Sequence, residues 1–281
     1  MSGEVLINLT PMETRVAVVE NGVLQEAFIE RSRRRGIVGN IYKGKVVRVL
    51  PGMQAAFVDI GLERAAFIHV NEVVSPNASV DEHVTITHLL QEGQPLVVQV
   101  TKDPIGSKGA RLTTHLSVPS RYLVYMPDSP HTGVSQRIED ENERERLKTL
   151  IEAAHADMRE GAPGGVIIRT AAEGVGQEEL TADMHFLLRL WRKVEERQHS
   201  AVPPALLYDD LPLFIRTLRD VMRDEVERVR IDSRENYVKL KEFAKEFMPD
   251  VESCIEYHPG ERPLFDLYSV EDEIQKALGR K

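Results

Sequence analysis

Apolar residues near the N-terminus follow the alternating and continuous patterns that are typical of β-strands. Residues 5–9 form a largely apolar run, and two further runs, 16–19 and 23–24, flank Glu20-Asn21-Gly22. The Asn-Gly pair favours a two-residue hairpin turn, because both turn residues must reach positive φ. The pattern therefore predicts three strands within the first 30 residues, the last two joined as a hairpin.

Short apolar runs separated by glycine follow between residues 36 and 125. The candidate strands of this region are residues 42–50, 55–60, 65–70 and 95–101. The glycines that mark turns between or just beyond them are Gly52, Gly61, Gly93 and Gly106. Four or five short strands over about 90 residues predict an all-β Greek-key barrel of the OB type. Residues 71–92 are predicted to form a long loop with at most a short helix.

Helical spacing returns at residues 139–160. One face of this predicted helix carries Leu147, Leu150, Ile151, Ala154 and Met158. The features that follow are a glycine-rich break at 161–165, a strand at 166–168 that ends at Arg169-Thr170, a helix at 178–196, and Pro203-Pro204, which closes the segment. Residues 126–210 are therefore predicted to form an α+β region.

The C-terminal part alternates between helices and strands. The predicted elements are a helix at 211–226, a strand at 229–231, a helix at 234–247, a strand at 254–257 and a helix from Ser269, with Asp272 in capping-box-like spacing. This alternation implies a mixed sheet with more strands than the tail contains, and the strands at 5–29 could supply them. The sequence therefore predicts a discontinuous α/β domain, 1–35 with 211–281, into which the barrel, 36–125, and the α+β region, 126–210, are inserted.

The charge of the chain is unevenly distributed. Its formal net charge is −9, which by itself argues against a nucleic-acid partner. Residues 31–48 nevertheless contain seven basic residues and no acidic one. Screening limits the reach of each charge to about 8–10 Å, so the local excess matters more than the total. The arginines at 33–35 are either an ordinary solvated run or part of a basic surface.

Composition narrows the class of protein. No apolar run approaches the ~20 residues that a membrane helix needs, and the N-terminus lacks the features of a signal peptide. The single cysteine, Cys254, excludes an internal disulfide and a cysteine-rich zinc site within these residues. We therefore expect a cytoplasmic protein without a membrane partner.

Two phenylalanines are candidates for RNA contacts. Phe57 and Phe67 lie ten residues apart in apolar runs, on either side of a glycine turn. Spacing alone favours a core position for both. Binding of single-stranded RNA, however, needs aromatic faces beside a basic track, and base stacking contributes about 1–3 kcal/mol per base. The basic residues that could form such a track are Lys43, Lys45, Arg48, Lys108 and Arg111.

Several motifs resemble the ribonuclease E/G family. Those of its S1-type RNA-binding domain are GNIYKGKV at 39–46, LPGMQAAFVDIG at 50–61 and KGARLTT at 108–114. Three more, closer to the G branch than to the E branch, are SQRIE at 135–139, IRTAAEG at 168–174 and PLFDL at 263–267. The resemblance covers essentially the whole chain. It implies an α/β scaffold like that of ribonuclease H, an inserted S1 barrel and a 5′-end sensor, in a bacterial endoribonuclease that cleaves single-stranded RNA in RNA processing and decay.

The resemblance also implies roles for individual residues. It implies RNA contacts for Phe57, Phe67 and Lys108, beside which Lys43 and Lys45 are the RNA-binding candidates of the basic track. It implies a pocket for a 5′-monophosphate, formed by Arg169 and Thr170 and lined by Val124, with Arg137 as a further candidate. From the residues alone, Arg169-Thr170 is either a surface strand end or a phosphate site, since a guanidinium fork and a hydroxyl suit phosphate. Part of the family has an arginine where this chain has Gln136, so either Arg137 replaces it or the pocket is less basic.

Residues for the cleavage step are not recognisable in this chain. Active ribonuclease H folds hold a metal with an acid on the first strand, where this chain has Asn8. We interpret Asp59, Asp103 and His69 as turn or barrel residues, and one thiolate, that of Cys254, is no tetrahedral zinc site. We therefore predict no catalytic residue, metal site or cofactor here, whereas the resemblance implies Mg²⁺ and Zn²⁺ for the full-length enzyme.

The expected partner is single-stranded RNA with a 5′-monophosphate end. The family resemblance implies a homo-oligomer for the full-length protein, and this chain alone could be monomeric. Two alternatives stay open from the sequence. One is a stand-alone, non-catalytic S1-type RNA-binding or regulatory protein. The other is a translation-type factor that uses the barrel alone.

Overall fold

A computed structural model of the chain describes residues 3–74, 84–157, 164–221 and 226–279. Its strands are β1 (Gly3–Leu9), β2 (Glu13–Glu20), β3 (Val23–Arg31), β4 (Ile41–Leu50), β5 (Ala55–Asp59), β6 (Ala66–His69), β7 (Pro95–Lys102), β8 (Arg111–Thr113), β9 (Val118–Pro119), β10 (Leu123–Met126), β11 (Gly133–Val134), β12 (Gly165–Ile168), β13 (Ala205–Tyr208), β14 (Val226–Ile231) and β15 (Ile255–Tyr257). Its α-helices are α1 (Ile86–Leu89), α2 (Glu141–Asp157), α3 (Gln177–Ser200), α4 (Leu213–Val221), α5 (Arg234–Phe247), α6 (Leu264–Leu267) and α7 (Val270–Leu278). The chain forms two compact units, Met1–Arg35 with Leu211–Lys281, and Gly36–Asp210.

The first unit is built on a five-stranded mixed sheet with the order β15-β14-β1-β2-β3. Strand β1 pairs antiparallel with β2 and parallel with β14, which in turn pairs parallel with β15. The predicted hairpin is confirmed, and Asn21 and Gly22 have φ values of 50° and 81° in the turn between β2 and β3. One face of this sheet packs against α6 and α7. The buried residues of that core are Leu6, Ala17, Val19, Leu264, Phe265 and Val270.

Three expectations for the first unit were wrong in detail. The predicted helix at 211–226 overlaps a strand, because α4 is described only for Leu213–Val221 and Val226 begins β14. Cys254 ends a 3₁₀ turn, and strand β15 begins only at Ile255. Ser269 does not form a capping box. It has φ of 55° and makes no side-chain cap bond, and its carbonyl accepts from the amide of the fourth residue on at 3.3 Å.

The second unit contains a closed five-stranded barrel, as predicted. Its strands follow the order β4-β5-β6-β8-β7, and β7 pairs with β4 to close the circle. Strands β6 and β8 are parallel, whereas the other neighbouring pairs are antiparallel. The short strand β8 was not predicted as a strand. The interior is filled by buried apolar residues from all five strands, among them Val46, Val58, Ile68, Val98 and Leu112.

A smaller sheet of the same unit has the strand order β11-β12-β10-β9. Helix α3 packs on β10, and α2 packs on α3 and β11. Strand β13 follows the prolines at 203–204, where the sequence predicted only the end of the segment, and it pairs antiparallel with the start of β4. The predicted helix at 139–160 is described for Glu141–Asp157, and Met158 lies outside the described residues. No helix in the described part of the chain combines the length and apolar character that crossing a membrane requires.

Gly109 lies where the barrel leaves no room for a side chain. A Cβ there would overlap the carbonyl oxygen of Ala65 just before β6. The two segments are fixed to each other, since the Phe67 amide donates to the Ala110 carbonyl at 2.8 Å. We expect Gly109→Ala to lower the free energy of unfolding by about 1–3 kcal/mol, the usual cost of overpacking.

A denaturant titration followed by circular dichroism measures this loss. Gly52→Ala is the matched control, because nothing lies within 4 Å of the position that its Cβ would take. Equal stabilities of the two variants would contradict the packing described for Gly109.

Candidate nucleic-acid interface

The outer face of the barrel carries a transverse row of side chains, one from each strand. Cross-strand pairing joins Arg48 to Phe57, Phe57 to Phe67, Phe67 to Arg111, and Arg111 to Lys102. Paired residues project on the same side of a sheet, so these five side chains lie side by side. None of the five is buried, and none is acidic. We call them the barrel row. Lys102 was missed in the sequence because its strand was predicted to end one residue too early.

Phe57 and Phe67 form the centre of the barrel row. Their ring centroids are 6.1 Å apart and their planes are inclined by 69°, an edge-to-face contact. Both rings are half-buried, whereas Ala56, Val58 and Ile68 on the same strands are buried in the interior. Successive strand residues face opposite sides, which explains the difference. The two rings therefore lie on the outer surface, where spacing alone had favoured the core.

Two further lysines of the predicted track lie near this row, both on the side of it where Asp59 lies. Lys108 is exposed in the loop between β7 and β8. The next residues of that loop contact the backbone before β6 and the Phe67 amide, so Lys108 lies beside the strand that carries Phe67. Lys45 is exposed on β4, and its partner on β5 is Asp59. Lys108 is therefore an exposed cation near Phe67, whereas Lys45 lies opposite an acid.

Lys43 contacts the protein itself. Its Nζ donates to the carbonyl oxygens of Gln198 at 2.7 Å and Ala201 at 2.9 Å. These carbonyls end α3, where the helix dipole favours a cation. Lys43 therefore joins the barrel to α3, and its ammonium group is already engaged by two carbonyl oxygens.

The residues predicted for a phosphate pocket meet on the small sheet. Val124 on β10 pairs with Ile167 on β12, and Arg169 directly follows β12. All three are half-buried, whereas the intervening Ile168 is buried. Alternate strand residues face the same side, so Ile167 and Arg169 share the face on which Val124 lies. The sheet thus brings Val124 and Arg169 together.

The guanidinium group of Arg169 is held by main-chain carbonyls. Its Nη1 donates to the carbonyl oxygen of Ser120 and, at 3.2 Å, to that of Arg121. The Arg169 amide donates to the Tyr122 carbonyl at 2.8 Å. These bonds leave Nε and Nη2 without a hydrogen-bond partner in the described part of the chain. A fork fixed at one nitrogen and open at the others is suited to bind a multi-oxygen anion.

Thr170 and Arg137 are exposed at the same end of this sheet. Thr170 begins a 3₁₀ turn, Thr170–Ala172, directly after Arg169. The amide of Ser135 donates to the carbonyl of residue 168 at 2.8 Å, which brings the start of segment 135–137 alongside the end of β12. Val124, Arg169 and Thr170 therefore lie on or directly after neighbouring strands, and Arg137 follows two residues after Ser135.

Asp183 is a buried acid that the sequence analysis did not single out. It is 9% exposed on α3 and accepts hydrogen bonds from Ser120 Oγ at 2.5 Å, Tyr122 N at 2.9 Å and Leu123 N at 3.0 Å. Burial raises the pKa of Asp183, and these bonds oppose the rise because they favour the ionised form. Its signal in the sequence is an acid on the apolar face of a helix, three residues after the buried Leu180.

In the first unit, a hydrogen-bond network surrounds Asn8. Its Nδ2 donates to Asp232 Oδ2 at 2.5 Å, and the Leu9 amide donates to Asp232 Oδ1 at 2.9 Å. Asp232 directly follows β14, whose parallel pairing with β1 brings it to this edge of the sheet. Arg15 Nε donates to Asn8 Oδ1 at 2.8 Å, and its Nη1 pairs with Glu271 at 2.9 Å. Both carboxylate oxygens of Asp232 therefore already accept hydrogen bonds from the protein. The positively charged guanidinium of Arg15 lies next to Asn8.

Within residues 3–74, 84–157, 164–221 and 226–279, no three His, Cys, Asp or Glu side chains are grouped so that they could hold a metal ion. Asp59 accepts from the Gly61 amide at 2.9 Å, and Asp103 accepts from the Ile37 amide at 2.6 Å. His69 caps the 3₁₀ turn that follows β6. Asp59 thus makes a turn interaction, His69 makes a cap interaction, and Asp103 binds the backbone of a distant segment.

Two family descriptions match this chain. The closed barrel with its outward-facing aromatic and basic row lies in the region, residues 37–103, that the S1 RNA binding domain matches. The Ribonuclease E/G family matches residues 117–281. The chain belongs to the ribonuclease E/G family.

The chain is similar to curated ribonucleases along its whole length. It is 53% identical over 288 residues to Ribonuclease G of Escherichia coli (strain K12), covering 100% of this chain and 58% of that protein. Identity to Ribonuclease G of Haemophilus influenzae is 51% over 285 residues, covering 99% and 57%. Identity to Ribonuclease E of Escherichia coli (strain K12) is 36% over 287 residues, covering 98% and 26%. The chain therefore spans 58% or less of the length of these relatives, and the predicted closeness to the G branch is confirmed.

An ion pair between Glu143 and Arg146 fixes the loop that follows Thr170. Glu143 pairs with Arg146 at 2.6 and 2.7 Å and accepts from the Gly174 amide at 2.8 Å. The Arg146 guanidinium also donates to the Val175 carbonyl at 3.0 Å. The hydrogen bond from Arg146, and then that from Gly174, lower the pKa of Glu143 from 4.5 to about 2.

We call the Glu143–Arg146 pair and its bond to the Gly174 amide the clamp. Because the pKa of Glu143 is lowered, the clamp weakens when the pH falls. Its stabilisation is present above pH 4.5 and is lost as the pH falls through about 2. We expect the Gly174 amide resonance to titrate with a midpoint near 2 in an NMR experiment, whereas in Arg146→Ala the midpoint rises toward the ordinary glutamate value. A midpoint unchanged by Arg146→Ala would contradict the clamp.

Proposed function

We propose that this chain is the RNA-binding and 5′-end-sensing part of a bacterial endoribonuclease that cleaves single-stranded RNA in RNA processing and decay. The observation that carries the proposal is the barrel row in a region matched by the S1 RNA binding domain. The ribonuclease relatives and the family match over 117–281 favour this function over a stand-alone regulatory protein or a translation-type factor.

The proposed domains are an S1-type domain at 36–125, a 5′-sensor domain at 126–210, and a scaffold formed by 1–35 with 211–281. The strand order of the first unit supports a ribonuclease H-like scaffold, because three antiparallel strands at one side are followed by two that are parallel to the first. A cytoplasmic location and a homo-oligomeric full-length enzyme remain predictions from the sequence.

On the barrel, Phe57 and Phe67 stack RNA bases in this proposal. Every base has a π-face, so stacking binds single strands with little sequence preference. The flanking cations, Arg48, Arg111 and Lys108, neutralise phosphates of the same strand. The cross-strand register supports this arrangement, because it places the two rings next to each other between two cations, Arg48 and Arg111.

On the small sheet, Arg169 and Thr170 bind the 5′-monophosphate. The open nitrogens of Arg169 donate to phosphate oxygens, and the exposed Thr170 hydroxyl adds a further donor. Val124 lines the pocket, and Arg137 supplies the second positive charge where part of the family has an arginine in place of Gln136. A pocket shaped for one phosphate excludes a triphosphate through steric conflict and unpaired charge.

We propose that the residues that cleave RNA are not among those that the structure describes. Metal-dependent hydrolysis needs carboxylates that are open to a cation, whereas both oxygens of Asp232 are bound by Asn8 and Leu9. We therefore propose that the Mg²⁺ and Zn²⁺ implied by the family resemblance bind elsewhere in the full-length enzyme.

The role of the rings can be tested with two neighbouring residues of β5. Phe57→Ala is expected to weaken the binding of single-stranded RNA by about 1–3 kcal/mol, because one stacking face is lost. The ring is half-buried, so the loss of thermal stability should be small. Val58→Ala is the matched control, because its side chain is fully buried and its truncation should lower stability by about 2 kcal/mol with intact RNA contacts.

Fluorescence anisotropy with a 5′-hydroxyl oligonucleotide and thermal unfolding measure the two effects. The assignment fails if Phe57→Ala destabilises the protein by about 3–5 kcal/mol, as loss of a core phenylalanine would, while RNA affinity per folded molecule is unchanged.

The phosphate pocket can be tested by the affinity ratio for RNA with a 5′-monophosphate over the same RNA with a 5′-hydroxyl. Arg169→Ala should lower this ratio by about tenfold, the effect of losing one hydrogen bond to a charged group. Arg192→Ala, which removes an exposed arginine of α3, controls for net charge and should leave the ratio unchanged. If Arg169→Ala and Arg192→Ala give the same ratio, Arg169 does not bind the 5′ phosphate.

A further inference from the structure

The buried carboxylate of Asp183 is bound by a single turn of the chain. Its Oδ2 accepts from the Ser120 hydroxyl at 2.5 Å and from the amides of Tyr122 and Leu123 at 2.9 and 3.0 Å. The Arg121 amide is a further donor to the same carboxylate. The turn is closed on itself, since the Ser120 amide donates to the Leu123 carbonyl at 2.8 Å. One acid therefore fixes the amide groups of three consecutive residues.

The opposite side of the same turn holds Arg169. The carbonyl oxygens of Ser120 and Arg121 accept from Arg169 Nη1, and the carbonyl oxygen of Tyr122 accepts from the Arg169 amide at 2.8 Å. In a trans peptide unit, the C=O and N–H groups point in opposite directions. Three consecutive peptide units thus lie between a carboxylate on their N–H side and an arginine on their C=O side.

This arrangement aligns each peptide dipole with both charges. The negative carboxylate faces the positive N–H ends, and the guanidinium faces the negative carbonyl end of two of the three units. Asp183 and Arg169 therefore both favour the same orientation of the turn at 120–123. Removal of the carboxylate leaves the amides without their common acceptor, and the carbonyls are then free to turn away from Arg169.

We infer that Asp183 is a positioning residue that fixes Arg169 for recognition of a 5′-terminal phosphate. The inference rests on the proposed phosphate pocket and adds its specificity determinant, an acid that never touches the RNA. The function of Asp183 is to hold the turn at 120–123 so that Nη1 of Arg169 stays bound and the other nitrogens stay oriented for the ligand.

A purely structural role for Asp183 makes a different prediction. An acid that served only the fold would, when replaced, weaken all RNA binding together with stability. A positioning residue selectively changes the preference for a 5′ phosphate. The affinity for RNA with a 5′-hydroxyl end, which depends on the barrel row in our proposal, reports the integrity of the rest of the protein.

The experiment measures dissociation constants of the full 281-residue chain for one RNA sequence with a 5′-monophosphate or a 5′-hydroxyl. The variants are Asp183→Asn, Ser120→Ala and Arg169→Ala, and Glu178→Gln removes an exposed acid from the same helix as control. Asp183→Asn should lower the monophosphate preference by about tenfold, as expected for the loss of hydrogen bonds to a charged group. Its affinity for 5′-hydroxyl RNA and that of Glu178→Gln should match the parent chain. Ser120→Ala should lower the preference by a smaller factor, because the amide bonds to Asp183 persist.

The outcomes separate the inference from the function on which it rests. If Arg169→Ala lowers the preference and a folded Asp183→Asn keeps it, the inference is overturned while the phosphate pocket stands. If Asp183→Asn weakens both RNAs equally, its role is structural and the inference is again overturned. If Asp183→Asn does not fold, Ser120→Ala decides, and an unchanged preference in that variant overturns the inference. If Arg169→Ala itself keeps the preference, the proposed phosphate pocket fails.

Discussion

Strand β4 is paired along both edges, and the second unit is organised around that pairing. Its first half pairs with β7 and β13, and its second half pairs with β5. Pairing on both edges closes the barrel, so successive residues of β4 must point alternately into the core and outward. The outward Lys43 binds the last carbonyls of α3. The same strand therefore fixes the barrel that carries the aromatic row and the helix that carries Asp183.

Closure of the barrel also explains why two phenylalanines are left outside it. The interior of a five-stranded barrel is small, and apolar residues of all five strands fill it, among them Val46, Val58 and Ile68. Large aromatic rings on the outer face keep apolar area in contact with water, which packing alone does not favour. Flanking by Arg48 and Arg111 gives these rings a basic surround in a chain with a net charge of −9. The ligand that this surface can bind therefore depends on which side chains strand pairing places next to each other, rather than on the net charge of the chain.

Local signals in the sequence predicted what local interactions determine. Asn21-Gly22 specified a hairpin through φ values that few other pairs accept, and glycine spacing predicted most barrel strands. Strand β13 was not predicted, because it is defined by pairing with β4, more than 150 positions away in the sequence. The place of Phe57 inside or outside the barrel could not be derived either, since register decides it. Asp183 was missed because its partners, in the turn at 120–123, are contributed by another segment.

The two arginines Arg146 and Arg169 show how a protein can use the same group as a clamp or as a receptor. Arg146 is paired with the carboxylate of Glu143 through two bonds, at 2.6 and 2.7 Å, so its charge is neutralised where it lies. Arg169 is held by neutral carbonyls, with the acid, Asp183, on the far side of the turn. A phosphate at Arg169 has no carboxylate to displace, yet the guanidinium is already oriented. Coulomb energy falls with distance, so placing peptide units between the acid and the arginine preserves attraction for an anion. An arginine paired directly with an aspartate would be fixed equally well, but it would bind phosphate less well because the adjacent carboxylate repels the anion.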